Sequence, residues 1–370
     1  RFNPDKMVRP PKMDDARYFR FAPGYQERPI EPALDWSAWN VERDPLTGRE
    51  TAPGSGNDLA GGLAKAVEMC NNNGHCRKFD AGTMCPSYRV TKDEQHVTRG
   101  RANTLRLAIS GQLGEAGLAS DEVKDTLDLC VSCKGCKRDC PTGVDMAKFK
   151  IEARAARVKR HGLTLRDKLV AFMPRYAAAA SRMPGLIAVA DNVPLVSSLF
   201  KRAVGFASER SLPRFRKSFL SSARPTVNVH GATLKEVLLF VDTFNNSMEP
   251  ENARAAQKVL EAAGYTVHFN MREGERPVCC GRTFLAAGLV DEAKHEARRM
   301  LDLFKPFVER GVPVVGLEPS CLLSLRDEFL HYGFGDEAQR LAKQAFLFEE
   351  FLVREDKAGR LKLALKPLDT

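Results

Sequence analysis

Four cysteines of the chain form a run whose spacing suits an inorganic cluster. Residues 130–141 read CVSCKGCKRDCP, which is C-x2-C-x2-C-x3-C-P. Thiolates at this spacing can each bind one corner of a [4Fe–4S] cubane, and the fourth cysteine then serves a neighbouring cluster. Pro141 stops the chain from turning back, so the last thiol faces away from the other three. We therefore predict a [4Fe–4S] cluster at this run.

The same C-x2-C pairs also occur in structural zinc sites. Zinc motifs usually place two such pairs a dozen or more residues apart. Here four cysteines fall within eleven positions and are followed by a proline. The spacing favours a cluster, whereas the zinc alternative predicts a zinc-stabilised binding protein without colour.

A second group of cysteines resembles a damaged first half of a two-cluster ferredoxin. If Cys70 and Cys76 are the first and third ligands of C-x2-C-x2-C, Asn73 stands where the second cysteine is expected. The closing C-P of this half arrives late, as Cys85-Pro86. The alternative is that Cys70 and Cys76 are buried thiols without a cofactor.

Composition limits the class of protein. The 370 residues allow two or three domains, and 43% hydrophobic with 28% charged residues is typical of globular proteins. A net charge of +10 suits nucleic acid, an anionic membrane surface or an acidic partner, but no basic-aromatic repeat supports nucleic acid. The ten cysteines lie in tight groups and no signal peptide is recognisable, so we expect a reducing, cytoplasmic location. We expect no membrane span.

The first 230 residues divide into three segments by composition. Residues 1–62 are rich in Pro, Gly and Arg, and we predict an extended arm anchored by Trp36 and Trp39. Residues 63–160 are helical and contain the first seven cysteines. Residues 161–230 alternate apolar helical turns with Arg and Lys. We predict a helical linker that packs on the cluster domain, in preference to an interfacial surface touching anionic lipid.

The stretch between the two cysteine groups carries many charges. Arg99, Arg101 and Arg106 follow a helical pattern. We expect most of these charges to lie on a solvated helix face. A cationic shell near a cluster would nevertheless help to offset its negative charge.

Residues 231–370 change to a strand–helix rhythm, which predicts a parallel α/β domain. The expected fold is therefore an α-helical two-cluster ferredoxin-type domain followed by an α/β parallel-sheet domain. The predicted strands are Val237–Asp242, Tyr265–Phe269 and Val312–Leu317, with helices at 251–263 and 284–310.

Cys279, Cys280 and Cys321 are predicted in loops at the ends of these elements. Ligand sites of parallel sheets gather at the carboxyl edge of the strands, so we expect a metal or redox site. The three thiols could bind zinc, bind another cluster or shuttle as a thiol pair. A disulfide between the adjacent Cys279 and Cys280 would be strained, which makes a metal the simpler interpretation.

With these residues in view, the chain resembles the iron–sulfur portion of FAD-dependent 2-hydroxyacid dehydrogenases. This is the glycolate oxidase and D-lactate dehydrogenase type, and the fused bacterial D-2-hydroxyglutarate dehydrogenases in particular. Residues 1–13 resemble the last turn of a vanillyl-alcohol-oxidase-type FAD domain. The motifs MCPSYR at 84–89, TRGRAN at 98–103 and LDLC at 127–130 resemble the cluster domain of this group. The motifs CCG at 279–281 and EPSC at 318–321 resemble the CCG cysteine-rich domain that is shared with heterodisulfide reductase subunits.

The chain departs from the family pattern in two places. The CCG unit occurs once and its usual early cysteine is absent near Asp242, so a complete noncubane cluster is not expected. The first half-motif lacks a cysteine, so its site can hold a [3Fe–4S] cluster, or a [4Fe–4S] cluster completed by Asn73, His75 or a small molecule. Two cubanes are the preferred interpretation. The ligand sets implied by the resemblance are Cys85, Cys130, Cys133 and Cys136 for one cluster and Cys70, Cys76 and Cys140 for the other.

The resemblance implies an electron-transfer portion of an oxidoreductase, with no catalytic residue of its own. FAD on an upstream domain or partner subunit would take a hydride from a D-2-hydroxyacid, D-2-hydroxyglutarate or D-lactate. The clusters would pass the electrons singly to a quinone or an electron-transfer protein, with peripheral contact at the inner membrane face and an oligomeric assembly. Because the first residue is Arg1, we expect a fragment or processed chain following an FAD domain. The alternative is a separate iron–sulfur adaptor subunit that docks a dehydrogenase to the respiratory chain.

Overall fold

The chain forms two compact units, Arg1–His161 and Gly162–Thr370. Much of the predicted arm, including the stretch that resembles the end of an FAD domain, lies outside the residues that the structure describes. None of the helices in the described ranges is both long and apolar enough to cross a bilayer. The computed structural model describes residues 28–40, 59–79, 82–185, 192–224, 235–272 and 274–364.

The regular elements of the first unit are all helical in the ranges that the structure describes. Its central helix buries Met146 and Phe149, which are 1% and 2% exposed, and Ser120 caps another by accepting a hydrogen bond from the Val123 amide at 3.3 Å. The α-helices of this unit are α1 (Leu63–Glu68), α2 (Pro86–Thr91), α3 (Thr98–Ile109), α4 (Asp121–Asp128), α5 (Gly135–Asp139) and α6 (Met146–His161).

Trp36 anchors the described part of the arm to α6. Its indole is 3% exposed, stacks on Phe149 with ring centroids 5.1 Å apart and donates to Glu152 at 2.8 Å. The Glu152 carboxylate also accepts the backbone amides of residues 33–34, each at 2.8 Å. The anchoring prediction is confirmed for Trp36, whereas Trp39 is only half-buried.

The second unit contains a four-stranded parallel sheet, which confirms the predicted α/β class. The strands lie in the order β2-β1-β3-β4, and the last of them was not predicted. Residues 237–241 are at most 1% exposed and form the centre of the core. The strands are β1 (Lys235–Phe240), β2 (Tyr265–Phe269), β3 (Val314–Gly316) and β4 (Ala345–Leu347).

The helices of the second unit differ from the prediction in two respects. Residues 284–310 are not one helix, because Gly288 with φ of 85° interrupts them. Cys321 lies in the first turn of a helix and not in a loop. The α-helices are α7 (Leu165–Ala171), α8 (Met173–Ala180), α9 (Pro194–Val204), α10 (Thr243–Ser247), α11 (Pro250–Ala262), α12 (Arg282–Ala286), α13 (Val290–Glu309), α14 (Pro319–Arg326), α15 (Asp336–Gln344) and α16 (Phe348–Lys357).

The segment predicted as a linker supplies three of these helices. Phe172, between α7 and α8, packs edge-on against Phe284 of α12 with ring centroids 5.2 Å apart. This contact joins the segment to the sheet unit, and its packing on the cluster domain stays a prediction. In α9, Leu199 and Phe200 are 70% and 46% exposed, so only part of the predicted apolar packing is present.

Glu355 of α16 is a buried carboxylate that ties the C-terminal end to the sheet. It accepts hydrogen bonds from Arg360 at 2.7 Å, Tyr265 at 2.8 Å and Arg354 at 3.0 Å. The Arg360 guanidinium, followed by Tyr265 and Arg354, lowers the pKa of Glu355 to about 2.

We predict that Glu355→Gln destabilises the protein more at neutral pH than in acid. Because the folded pKa lies below the unfolded value, the carboxylate stabilises the fold above pH ~4.5 and loses this effect as pH falls toward ~2. The expected loss at pH 7 is about 3 kcal/mol in the free energy of unfolding. Urea unfolding at pH 7 and pH 3 measures it, with exposed Glu349→Gln as control. An equal loss at both pH values would contradict the prediction.

Candidate iron–sulfur centre

Four cysteines from two segments surround one pocket in the first unit. Cys85, Cys130, Cys133 and Cys136 line it, and its empty volume is about 300 Å³. Cys85 and Cys136 are buried, Cys130 is half-buried and Cys133 is exposed. The residues brought together are the set implied for the first cluster. Their role as ligands stays a prediction.

The backbone at this pocket uses left-handed conformations that few residues adopt. Ser132 and Lys134 have φ of 54° and 58° in the run of four cysteines, and Cys85 has φ of 51°. For residues with a Cβ this conformation costs about 1–2 kcal/mol each. Such outliers gather at sites where the surrounding structure holds a required geometry.

Two of the four sulfurs already accept backbone hydrogen bonds from helix N-termini. The Thr98 amide at the start of α3 donates to Cys85 Sγ at 3.1 Å, and the Met146 amide at the start of α6 donates to Cys136 Sγ at 3.3 Å. N–H groups and the positive end of a helix dipole both stabilise a thiolate. Hydrogen bonds to sulfur are also among the factors that set a cluster's potential.

The segment before Cys85 is held against α5. Asp139 accepts hydrogen bonds from the Thr83 amide at 2.7 Å and the Met84 amide at 3.1 Å. Gly135 faces the same segment, and a Cβ there would lie 3.1 Å from the Thr83 carbonyl oxygen. A side chain at this position would push Cys85 away from the pocket.

Burial favours the protonated thiol at Cys136 and Cys85, so a metal that binds them displaces protons. Burial raises the pKa of Cys136 to about 12 and also raises that of Cys85. Metal ligation requires the thiolate, so binding must release protons and is favoured by higher pH. The hydrogen bonds from Thr98 and Met146 act in the opposite direction and lower both pKa values.

Cys70 and Cys76 form a second group of buried cysteines beside α3. Both are 7% exposed, and burial raises the pKa of Cys76 to about 11. The Arg99 amide donates to Cys76, next to the Thr98 amide that donates to Cys85. The first turn of α3 therefore serves one thiol of each implied ligand set.

The two other members discussed for the second site have different surroundings. Cys140, the implied third thiolate, is half-buried and its sulfur lies 3.3 Å from Thr142 Oγ1. The side-chain oxygen of Asn73 accepts a hydrogen bond from the His75 backbone amide at 2.8 Å. The backbone amide of Asn73 donates to the side-chain oxygen of Asn71 at 3.2 Å. Asn73 thus shapes the turn, which leaves its oxygen engaged in this structure.

The cysteines of the sheet unit meet at the carboxyl edge of the strands. Cys279 and Cys280 follow β2 and precede α12, and Cys321 follows β3. Each is at most 6% exposed, and the Cys280 thiol is hydrogen-bonded to both of the others. Gly281 has φ of 75°, and a Cβ there would approach Ala293 O to 2.9 Å, so this turn requires glycine.

A tyrosine hydroxyl beside these thiols has no hydrogen-bond partner in the described part of the chain. Tyr332 is 5% exposed and lies close enough to Cys279 and Cys280 to interact electrostatically with them. Buried polar groups are normally satisfied, so we expect an acceptor from outside the described residues, such as water, at this hydroxyl. A group bound by the thiols fits this position as well.

The zinc alternative stays open at the cysteines of the sheet unit. Among the residues that the structure describes, no three Cys, His, Asp or Glu side chains are grouped as ligands of a single metal ion. A zinc ion would need thiolates at about 2.3 Å from one point. What Cys279, Cys280 and Cys321 bind stays a prediction.

The arginines near the pocket correct one expectation. Arg101 and Arg106 of α3 are 2% and 8% exposed and do not lie on a solvated face. Arg101 lines the pocket of the four cysteines, and Arg106 donates to the Cys70 carbonyl oxygen. The sequence predicted cations near a cluster only in general terms. Nothing in the sequence indicated that Tyr332 lies beside the cysteines of the sheet unit.

The first unit gathers seven cysteines in two groups on a helical framework, as expected for a [4Fe–4S] domain. Residues 66–144 match the family described as 4Fe-4S dicluster domain, and this range contains all seven cysteines of the first unit. The match confirms the predicted [4Fe–4S] domain.

Comparison with known proteins confirms the resemblance to hydroxyacid dehydrogenases. D-2-hydroxyglutarate dehydrogenase of Escherichia coli (strain K12) is 25% identical over 309 residues, which cover 70% of this chain. The glycolate oxidase iron-sulfur subunit of the same strain is 24% identical, covering 67% of this chain and 55% of that subunit. Lactate utilization protein A of Anoxybacillus flavithermus is 29% identical, covering 34% of this chain and 53% of that protein. The chain spans only 29% of the D-2-hydroxyglutarate dehydrogenase. No solved structure matches the present chain.

Proposed function

We propose that this chain relays electrons through two iron–sulfur clusters during the oxidation of a D-2-hydroxyacid, D-2-hydroxyglutarate or D-lactate. The observation that carries the proposal is the pocket lined by Cys85, Cys130, Cys133 and Cys136. When bound there, a cluster supplies one-electron transfer. Hydride removal from the hydroxyacid is assigned to FAD on an upstream domain or a partner.

The protein's own residues hold and insulate the clusters. Cys85 and Cys136 bind as thiolates under the hydrogen bonds from Thr98 and Met146. Cys133 is exposed at the edge of the pocket. We assign the transfer of electrons to a quinone or an electron-transfer protein to this side of the pocket. Peripheral contact with the inner membrane face and an oligomeric assembly belong to the same proposal, as does a metal or further cluster at Cys279, Cys280 and Cys321.

A separate adaptor subunit is the second candidate. It is favoured by the similarity to the glycolate oxidase iron-sulfur subunit, of which the chain covers 55%. In that case the flavin belongs to another polypeptide, and the relay chemistry of this chain is the same.

Anaerobically purified protein tests the relay directly. We expect about four to eight irons per chain, matching sulfide and broad absorbance at about 400 nm. Photoreduced FAD should bleach this absorbance, whereas D-2-hydroxyglutarate and D-lactate added to the chain alone should not. Iron-free protein after reconstitution, or clusters that reduced FAD leaves oxidised, would overturn the proposal. Iron and zinc analysis of Cys280→Ser protein shows whether the sheet unit holds a metal.

A further inference from the structure

One buried cation, Arg101, lines the pocket of the four cysteines, and a second, Lys150, contacts the backbone of one of them. The Arg101 guanidinium is 2% exposed and donates to Thr126 O at 3.1 Å and Ser87 Oγ at 2.8 Å. Lys150 is 8% exposed and its ammonium donates to the Cys130 carbonyl oxygen. All of these acceptors are uncharged. Within the described ranges, neither cation forms an ion pair with Asp or Glu.

This arrangement is unfavourable unless an anion joins it. A buried charge that lacks a partner is costly, and the charges of Arg101 and Lys150 repel each other. A cluster with four thiolates and inorganic sulfides is negatively charged, and Arg101 lines the space where it would lie. The pocket therefore contains countercharge for a group of that sign.

The second cysteine site provides an internal comparison. There, Arg106 pairs with Glu68 at 3.1 Å and Arg99 pairs with Glu94 at 2.7 Å. Carboxylates from other segments thus pair with two arginines of α3, whereas none in the described part of the chain pairs with Arg101. Of these three arginines, Arg101 is the one that lines the pocket of the four cysteines.

We propose that Arg101 and Lys150 are the countercharge of the first cluster and raise its reduction potential. The inference rests on the proposed function. Reduction adds one negative charge to the cluster, and a cation a few ångströms away in a poorly solvated pocket stabilises the reduced form more than the oxidised form. Both residues position charge and neither reacts.

Redox titration followed by EPR tests the role of Arg101. The signal of the first cluster is the one that Cys136→Ser removes. In Arg101→Gln protein we expect the midpoint potential of the first cluster to fall. At the wild-type midpoint, the ratio of oxidised to reduced cluster should then rise about tenfold, and this change corresponds to a shift of 59 mV for one electron. Arg101→Lys keeps the charge and should stay closer to wild type. Lys150→Gln should shift the potential in the same direction.

Arg157→Gln is the matched control. Arg157 forms an ion pair with Asp121, with 2.9 Å between the charged groups, and this pair lies away from the pocket. If Arg101→Gln protein loses iron, the comparison becomes the iron that each variant retains, with Arg101→Lys expected to retain more. Equal behaviour of Arg101→Lys and Arg101→Gln, in potential or in retained iron, would assign Arg101 a structural role and overturn the inference. A wild-type chain without a cluster would instead overturn the proposed function.

Discussion

Cys136→Ser protein is expected to lose one whole cluster, about four irons per chain. The Cys136 sulfur lies in the pocket, is 7% exposed and accepts the Met146 amide, so no solvent molecule can easily take its place. Serine is a poorer ligand for iron because its oxygen is harder than sulfur. The loss should appear as lower iron and sulfide and weaker visible absorbance.

Ser132→Ala is the matched control for this experiment. Ser132 lies in the same run and lines the same pocket, but it is not among the implied ligands. Its replacement should leave the iron content unchanged. An unaltered spectrum in Cys136→Ser protein would remove the basis for the first cluster.

Asn73→Cys is expected to change the type of the second cluster. Asn73 uses its oxygen to accept the His75 amide, so the site is left with three implied thiolates. A [4Fe–4S] cluster at such a site loses its fourth iron on oxidation. Wild-type protein exposed to air should therefore show the EPR signal of an oxidised [3Fe–4S] cluster, and Asn73→Cys protein should not.

The neighbouring Asn71 offers a control in the same loop. Asn71→Cys adds a thiol two residues away and should leave the [3Fe–4S] signal in place. The Asn73→Cys protein should also retain about one more iron per chain in air. If oxidised wild-type protein shows no [3Fe–4S] signal, the second site holds a complete cubane or none.

Local spacing predicted much of the site and the fold. The cysteines of residues 130–141 could be predicted as ligands because their spacing depends only on residues near each other in sequence. Gly264, with φ of 85°, precedes the start of β2, as the sequence predicted. The strand β2 was predicted at its observed bounds because a helix, a glycine and an alternating segment follow one another there. The strand β1 was predicted two residues too late.

Features that depend on distant contacts escaped prediction. The three-residue β4 exists because it pairs with β3, and nothing within Ala345–Leu347 indicates that partner. Arg101 follows a polar helical pattern, yet the Thr126 carbonyl and Ser87 hydroxyl draw it inside. The approach of Tyr332 to Cys279 likewise arises from packing between elements far apart in sequence.

The first turn of α3 has a consequence for how charge is stored. Its Thr98 and Arg99 amides donate to Cys85 and Cys76, so the two proposed clusters are electrostatic neighbours. An electron on either one repels an electron arriving at the other, and this penalty is reciprocal. If both clusters are present, they would fill anticooperatively: the two electrons of a hydride would enter in two unequal steps, and the second electron would be the more readily given up.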